Sequence, residues 1–301
     1  MPDITANGLS LHYESRGNEA DPTILMIMGL GVQMVLWPDP LIDALVAQGF
    51  RVVRFDNRDI GLSTHLSHLG EPSTMAMFLR FKMRLPVHAH YTIDTMAQDT
   101  AALIDALELK RPHVVGASMG GMIGQNLAAN FPQHVSTLTS IMSTTGRRSL
   151  PQPGWRALKA VLAPAGRDVP SAIARMEHVL STIGSLTHSA PREHLRAICE
   201  RHVLRSLDPA GSARQLVAIA ASDDRSHTIA RIKAPTLVLH GDEDPLVPVD
   251  AGYDTARVIR SGGGNAEMSV VRGMGHDFPM PLIPQIAGEI AAFCRRHTVT
   301  Q

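Results

Sequence analysis

The rhythm of hydrophobic and polar positions changes several times along the chain, and each change predicts an element. Residues 3–16 alternate around Asn7-Gly8, a turn dipeptide, which predicts a β-hairpin. Thr23–Gly31 (TILMIMGLG) is instead a continuous apolar run closed by glycines, as expected of a strand covered on both faces. Leu41–Gln48 takes helical spacing and stops at Gly49. Arg51–Asp56 (RVVRFD) reads as strand and runs into the turn-rich NRDIGLS. A helix over about Thr92–Leu109 carries apolar Met96, Leu103, Ile104 and Leu107, and it is followed by strand at His113–Ser118. Met119–Asn130 then reads as helix and Val135–Ser143 as strand. Strands and helices alternating at this spacing predict a doubly wound, mostly parallel sheet.

The alternation lapses after Thr144. From Gly146 to Arg225, about 80 residues, the chain is helical and punctuated by proline and glycine, with no convincing strand. It resumes with a strand at Ala234–Asp244, a helix near Asp250–Ser261, a strand at Ala266–His276 and a helix near Ile283–His297. The chain therefore divides into a first core part (1–145), a helical cap inserted above the sheet (146–225) and a second core part (226–301).

Composition narrows the function. The 301 residues hold 28 Lys+Arg and 28 Asp+Glu, a formal net charge of zero, so no strong field recruits nucleic acid or an anionic membrane. No apolar stretch reaches 18 residues, which predicts no membrane span, and the first residues lack the basic start and apolar run of a signal peptide. Two cysteines, Cys199 and Cys294, supply neither a disulfide framework nor a four-thiolate metal site, and they read as unpaired thiols in a reducing cytoplasm. The 15 histidines are scattered. His88 and His90 lack a nearby cysteine or carboxylate set, so they read as loop residues and no metal is predicted. Gly262-Gly263-Gly264 has no following helix and makes no nucleotide fingerprint. The expectation is a cytoplasmic, soluble monomer or homodimer that needs no cofactor.

The chemistry starts at Gly116-Ala117-Ser118-Met119-Gly120, a G-x-S-x-G between an apolar strand and an apolar helix. That setting suits a nucleophile elbow, whose tight turn crowds the backbone and needs glycine on both sides. A serine hydroxyl also needs a base. His276, in Gly273-Met274-Gly275-His276 just after the last strand, can swing over Ser118 on a flexible turn; His240 and His113 lie in strands and His297 in the tail. An acid must orient that imidazole. Asp242 and Asp244 both stand after the preceding strand. Asp244 is favoured, because it enters the loop and Pro245 restricts it to extended backbone. Backbone N–H groups of Met119 and Leu30, the latter in Met28-Gly29-Leu30-Gly31, are the expected oxyanion donors.

These blocks together resemble the α/β-hydrolase superfamily over nearly the whole chain, in its Ser–Asp–His order (Ser118, Asp244, His276). MGLG, RFDNRDIGLST, VVGASMGG, LVLHGDEDPLVP and GMGH are similar to bacterial esterases of the anthracycline methylesterase type. In that subgroup Met replaces the His of the commoner His-Gly oxyanion motif, as in Met28-Gly29 here. The resemblance implies an α/β-hydrolase fold, a mostly parallel sheet flanked by helices with a helical cap, and a serine carboxylesterase acting on a small-molecule ester. A C–C bond hydrolase, lactonase or cofactor-free perhydrolase on the same residues is the alternative. Serine at the elbow disfavours dehalogenase and epoxide hydrolase chemistry, which uses Asp there. Phe78 and Phe81, in the Met-rich stretch Met75–Tyr91, are expected to join Leu180, Ile183 and Leu186 of the cap around an apolar acyl pocket. Such a pocket predicts a preference for short-to-medium acyl esters.

Overall fold

The computed structural model describes residues 2–164 and 166–298. Its strands are β1 (Asp3–Ala6), β2 (Leu9–Arg16), β3 (Thr23–Ile27), β4 (Arg51–Phe55), β5 (His113–Ala117), β6 (Leu138–Ile141), β7 (Thr236–Gly241) and β8 (Ala266–Val271). They form one sheet in the order β1-β2-β4-β3-β5-β6-β7-β8. Asn7-Gly8 closes the β1–β2 hairpin with both residues at positive φ. β2 pairs antiparallel with β4, and from β4 to β8 all pairings are parallel.

Strand alternation divides the core. Ile24 and Met26 of β3 face a layer made by α1 (Asp39–Ala47) and the last helix, with Leu41, Leu45, Ile286 and Ile290. Leu25 and Ile27 face the opposite layer, where α3 (Ile93–Ala106) and α4 (Met119–Asn130) supply Met96, Leu103, Ile123 and Leu127. With helices on both faces, β5 and β7 are buried along their whole length, which accounts for their unbroken apolar runs. Helix α2 (Thr74–Lys82) lies between β4 and α3, capped by the Ser73 side chain.

Between β6 and β7 come five helices and no strand among the described residues: α5 (Trp155–Leu162), α6 (Val169–Ile183), α7 (Arg192–Arg205), α8 (Pro209–Ala221) and the short α9 (Ser226–Ile229). α6 and α7 share a small core of Ala172, Ile173, Cys199 and Val203. The chain finishes with α10 (Asp250–Ser261) and α11 (Ile283–Arg296). Cys294 is buried in the α1–α11 layer, and both cysteines are unpaired. Burial pushes each thiol up to about 12.

The turn after β4 fastens this helical region to the sheet. Asp59 takes a two-pronged ion pair from Arg214 of α8 (2.7 and 2.9 Å), and Asp56 one from Arg205 of α7 (2.7 Å). Arg58 pairs with Asp99 of α3 (2.5 and 2.6 Å). Gly61, at φ +65°, packs where a Cβ would sit 2.1 Å from the Asp56 carboxylate. No described helix is long and apolar enough to cross a membrane.

Candidate active site

Ser118 stands between β5 and α4 at φ +55° and ψ −118°, a conformation that costs a non-glycine residue energy. The surroundings enforce it. A Cβ on Gly116 would lie 2.2 Å from the Gly120 carbonyl oxygen, and one on Gly120 would lie 2.0 Å from that of Ile27. The Ser118 N–H donates to Ile141 O (2.9 Å), and its own carbonyl accepts the Ser143 hydroxyl (2.8 Å). Chain close-packing at Gly116 and Gly120 therefore aims the hydroxyl off the sheet's C-terminal edge, at the start of α4.

The loops after β7 and β8 converge on it. His276 Nε2 is 3.0 Å from Ser118 Oγ, and its Nδ1 is 2.7 Å from Asp244 Oδ2. An imidazole protonated at Nδ1 donates to the carboxylate and accepts the serine O–H at Nε2, the tautomer this network requires. Asp244 Oδ1 accepts the N–H groups of Leu246 (2.9 Å) and Val247 (2.8 Å). Burial pushes the Asp244 carboxyl up; the His276 charge and hydrogen bonds involving His240, His276 and Val247 outweigh it, and the carboxyl is held well below the usual range. Asp242 does other work, accepting the Gly273 N–H (2.7 Å) between the two loops. The histidine loop is not free to swing: His276 is buried and its N–H donates to Ile183 O (2.8 Å).

Gly29 passes directly beside the serine, and a Cβ there would be 3.2 Å from Ser118 Cβ. The Gly31 N–H is taken by Gln215 Oε1 (2.9 Å), and Met28 O accepts from Asn57 Nδ2 (3.1 Å). These contacts brace the strand exit that carries Leu30, while Met119 takes the first position of α4. Sequence reasoning missed both braces. Asn57 stood in a block read only as a structural turn, and Gln215 lies 184 residues from Gly31.

Above the serine lies a cavity of about 1330 Å³, between the sheet's edge and α5–α8. Met28, Gly29, Phe78, Phe81, Leu180 and Ile183 line it. Leu186 does not, contrary to expectation: α6 ends at Ile183, the chain turns outward, and Leu186 is 80% exposed. Met75 and Met83 also point to solvent, from the outer side of α2. Asp59, His65 and Asp208 bring ligand-type atoms within 4.8 Å of one another, but Arg214 is 2.7 Å from Asp59 and 3.5 Å from Asp208, so the protein supplies the cation there itself.

The sequence profile of the alpha/beta hydrolase fold matches residues 22–280. The chain is 27% identical to the rhodomycin D methylesterase of Streptomyces peucetius, over 98% of each protein. Solved structures share its fold, two of them as follows. The enol-lactonase from Burkholderia xenovorans LB400 superposes with a TM-score of 0.71 at 23% identity, covering 98% of this chain and all of that one. The meta-cleavage product hydrolase from Pseudomonas fluorescens IP01 gives 0.75 at 17% identity, covering 99% and 98%. With its matched profile, its sheet order and its relatives, the chain belongs to the alpha/beta hydrolase fold family.

Proposed function

We propose that the protein is a carboxylic ester hydrolase working through an acyl-Ser118 intermediate. The unbroken relay from Ser118 Oγ through His276 to Asp244 carries this reading. In it, His276 Nε2 takes the hydroxyl proton as Oγ attacks the ester carbonyl carbon. The carbonyl oxygen becomes an oxyanion, held by the N–H groups of Leu30 and Met119. As the tetrahedral species collapses, the imidazolium returns the proton to the departing alkoxide, and an alcohol leaves. Water then repeats the sequence on the acyl-serine and releases the acid. Asp244 stays ionised and stabilises the imidazolium.

The cavity changes the size expected of the substrate. At about 1330 Å³ it exceeds the roughly 300–1,000 Å³ common for small-molecule sites, so its walls set no ceiling near butyrate. A relative named as a methylesterase is consistent with ester hydrolysis that releases a small alcohol. The enzyme proposed is therefore a carboxylic ester hydrolase whose cavity has room for acids bulkier than the short-to-medium acyl chains the sequence pattern suggests.

Labelling with a fluorophosphonate, read by mass spectrometry, tests the acyl-serine chemistry: adduct on Ser118 is expected, and none in Ser118→Ala. Methyl esters of fused-ring aromatic acids, p-nitrophenyl esters of two to sixteen carbons and a five-membered enol-lactone together test the substrate. A kcat/KM for the bulky methyl esters above that for p-nitrophenyl acetate supports the reading. Turnover of the lactone alone would move the protein to lactone hydrolysis on the same serine.

A further inference from the structure

One short cap segment, Ile183–Thr187, reaches both of the loops that carry Asp244 and His276. Ile183 O accepts the His276 N–H (2.8 Å), and the Ser185 hydroxyl oxygen accepts the Gly275 N–H (2.7 Å). The same hydroxyl donates to Asp277 Oδ1 (2.6 Å), which also accepts the Ser185 N–H (3.0 Å). On the acid's side, Glu243 Oε2 accepts the N–H groups of Leu186 (2.8 Å) and Thr187 (2.9 Å), while Oε1 accepts the Thr187 hydroxyl. Hydrogen bonds from the Thr187 side chain and backbone keep the exposed Glu243 carboxyl below its ordinary value. Glu243 directly precedes Asp244, and Asp277 directly follows His276.

The seam has no slack. A Cβ on Gly275 would come within 2.5 Å of Gly184 C and Ser185 N. The two loops also touch each other, through Asp242 with Gly273 (2.7 Å) and the Glu243 N–H with Met274 O (3.0 Å). Beyond Met274 the two loops meet through the His276–Asp244 pair itself (2.7 Å). The next two N–H groups, of Gly275 and His276, both go to the cap.

We propose that Ser185, Asp277 and Glu243 are positioning residues through which the cap aligns His276 with Asp244, so the triad is complete only while segment 183–187 is seated on both loops. The proposal rests on the acyl-serine reading above. The 3.0 Å contact between His276 and Ser118 leaves little tolerance, because misplacement by about 1 Å costs a catalytic group on the order of 100-fold. Cap position and proton transfer thus become one property.

The test uses the full chain, with kcat expressed per reactive serine by fluorophosphonate titration, so that poorly folded molecules are not counted. Glu243→Ala and Asp277→Ala are expected to lower that kcat about 10- to 100-fold, with KM changed less than about threefold. Glu243→Gln and Asp277→Asn keep a carbonyl oxygen for the cap's N–H groups and should recover to within about fivefold of the parent. Alanine variants with full kcat per reactive serine would overturn the proposal, as would amide variants that fall as far as the alanine ones. A parent enzyme that takes no label at Ser118 would remove the acyl-serine reading and this proposal with it.

Discussion

The floor and the roof of the cavity are built in opposite ways. In the floor, backbone meets backbone: Gly116 against Gly120 and Gly120 against Ile27 leave no room for a methyl group, and Ser118 is held at positive φ by that crowding. In the roof, α6 and α7 share a small core of their own, and α7 and α8 are fastened by side chains, notably Arg205 to Asp56 and Arg214 to Asp59. Rigid backbone fixes where Ser118 stands. Side-chain anchors hold the roof while leaving a large space beneath it. Substitutions in the floor should therefore act as all-or-none, and those in the roof by degrees.

The largest effect should come from the serine itself. Ser118→Ala is expected to lower kcat at least 10⁴-fold. Ser118→Gly should be equally inactive yet melt higher, by about 1.5–2 °C per kcal/mol of strain relieved, because glycine accepts φ +55° without penalty. A lower melting temperature for the glycine variant would break the account of a strained floor. Next, Asp244→Asn should cost roughly 10²- to 10⁴-fold in kcat, since an amide misorients His276. Asp242→Asn should stay within about tenfold, because an amide oxygen still accepts the Gly273 N–H. Reversed effects in kinetic assays would exchange the two roles.

A third contrast is in stability. Gly120→Ala would set a methyl group 2.0 Å from Ile27 O, where only main chain can give way, and a loss of more than about 3 kcal/mol is expected by urea unfolding. The smallest effect compares one histidine from each region. Burial pushes His113, at the start of β5, down to about 4, helped by the His297 charge; burial, then the Arg205 charge, does the same to His202 in α7. Both are held neutral in the fold, whereas an ordinary histidine binds its proton near 6.5. Between about pH 6.5 and 4 the unfolded chain takes up protons that the folded chain refuses. Stability should fall as pH drops through that window, by about 1–2 kcal/mol per histidine at pH 5, with no such loss above 7. His202→Gln should remove about half of this dependence, and unfolding curves that keep their full slope would show that the roof does not share in it.

The same contrast explains what was legible beforehand. Strand and helix order, the elbow at Ser118 and the positions of Asp244 and His276 follow from local pattern, because the turn chemistry at each strand's end is written in neighbouring residues. The roof depends on partners far apart in the chain. Arg214 and Asp59 are separated by 155 residues, and nothing near either one announces the other. Leu186 lies outside the pocket for a related reason: nothing in its neighbouring residues announces that α6 stops at Ile183 and the chain turns outward. Within Met75–Tyr91, α2 sends Phe78 and Phe81 inward and Met75 and Met83 out, a division that composition alone does not make. The length of the chain's longest apolar runs bears on what covers them, and volume enclosed by the cap is invisible in any of them.

The two buried cysteines have a practical side. With thiols raised to about 12, Cys199 and Cys294 hold almost no thiolate at neutral pH, and alkylating reagents or peroxide find no nucleophile there. Buried and poor in thiolate, both cysteines are expected to react slowly with maleimides in the native protein. A single cysteine placed on the outer face of α6 would be its one fast-reacting thiol, and a dye attached there would report how often the roof lifts. One of the silent pair doubles as an internal gauge. Cys199 sits in the core shared by α6 and α7, so its slow reaction would count complete opening of that helix pair, and Cys294 would count unfolding of the sheet's far layer.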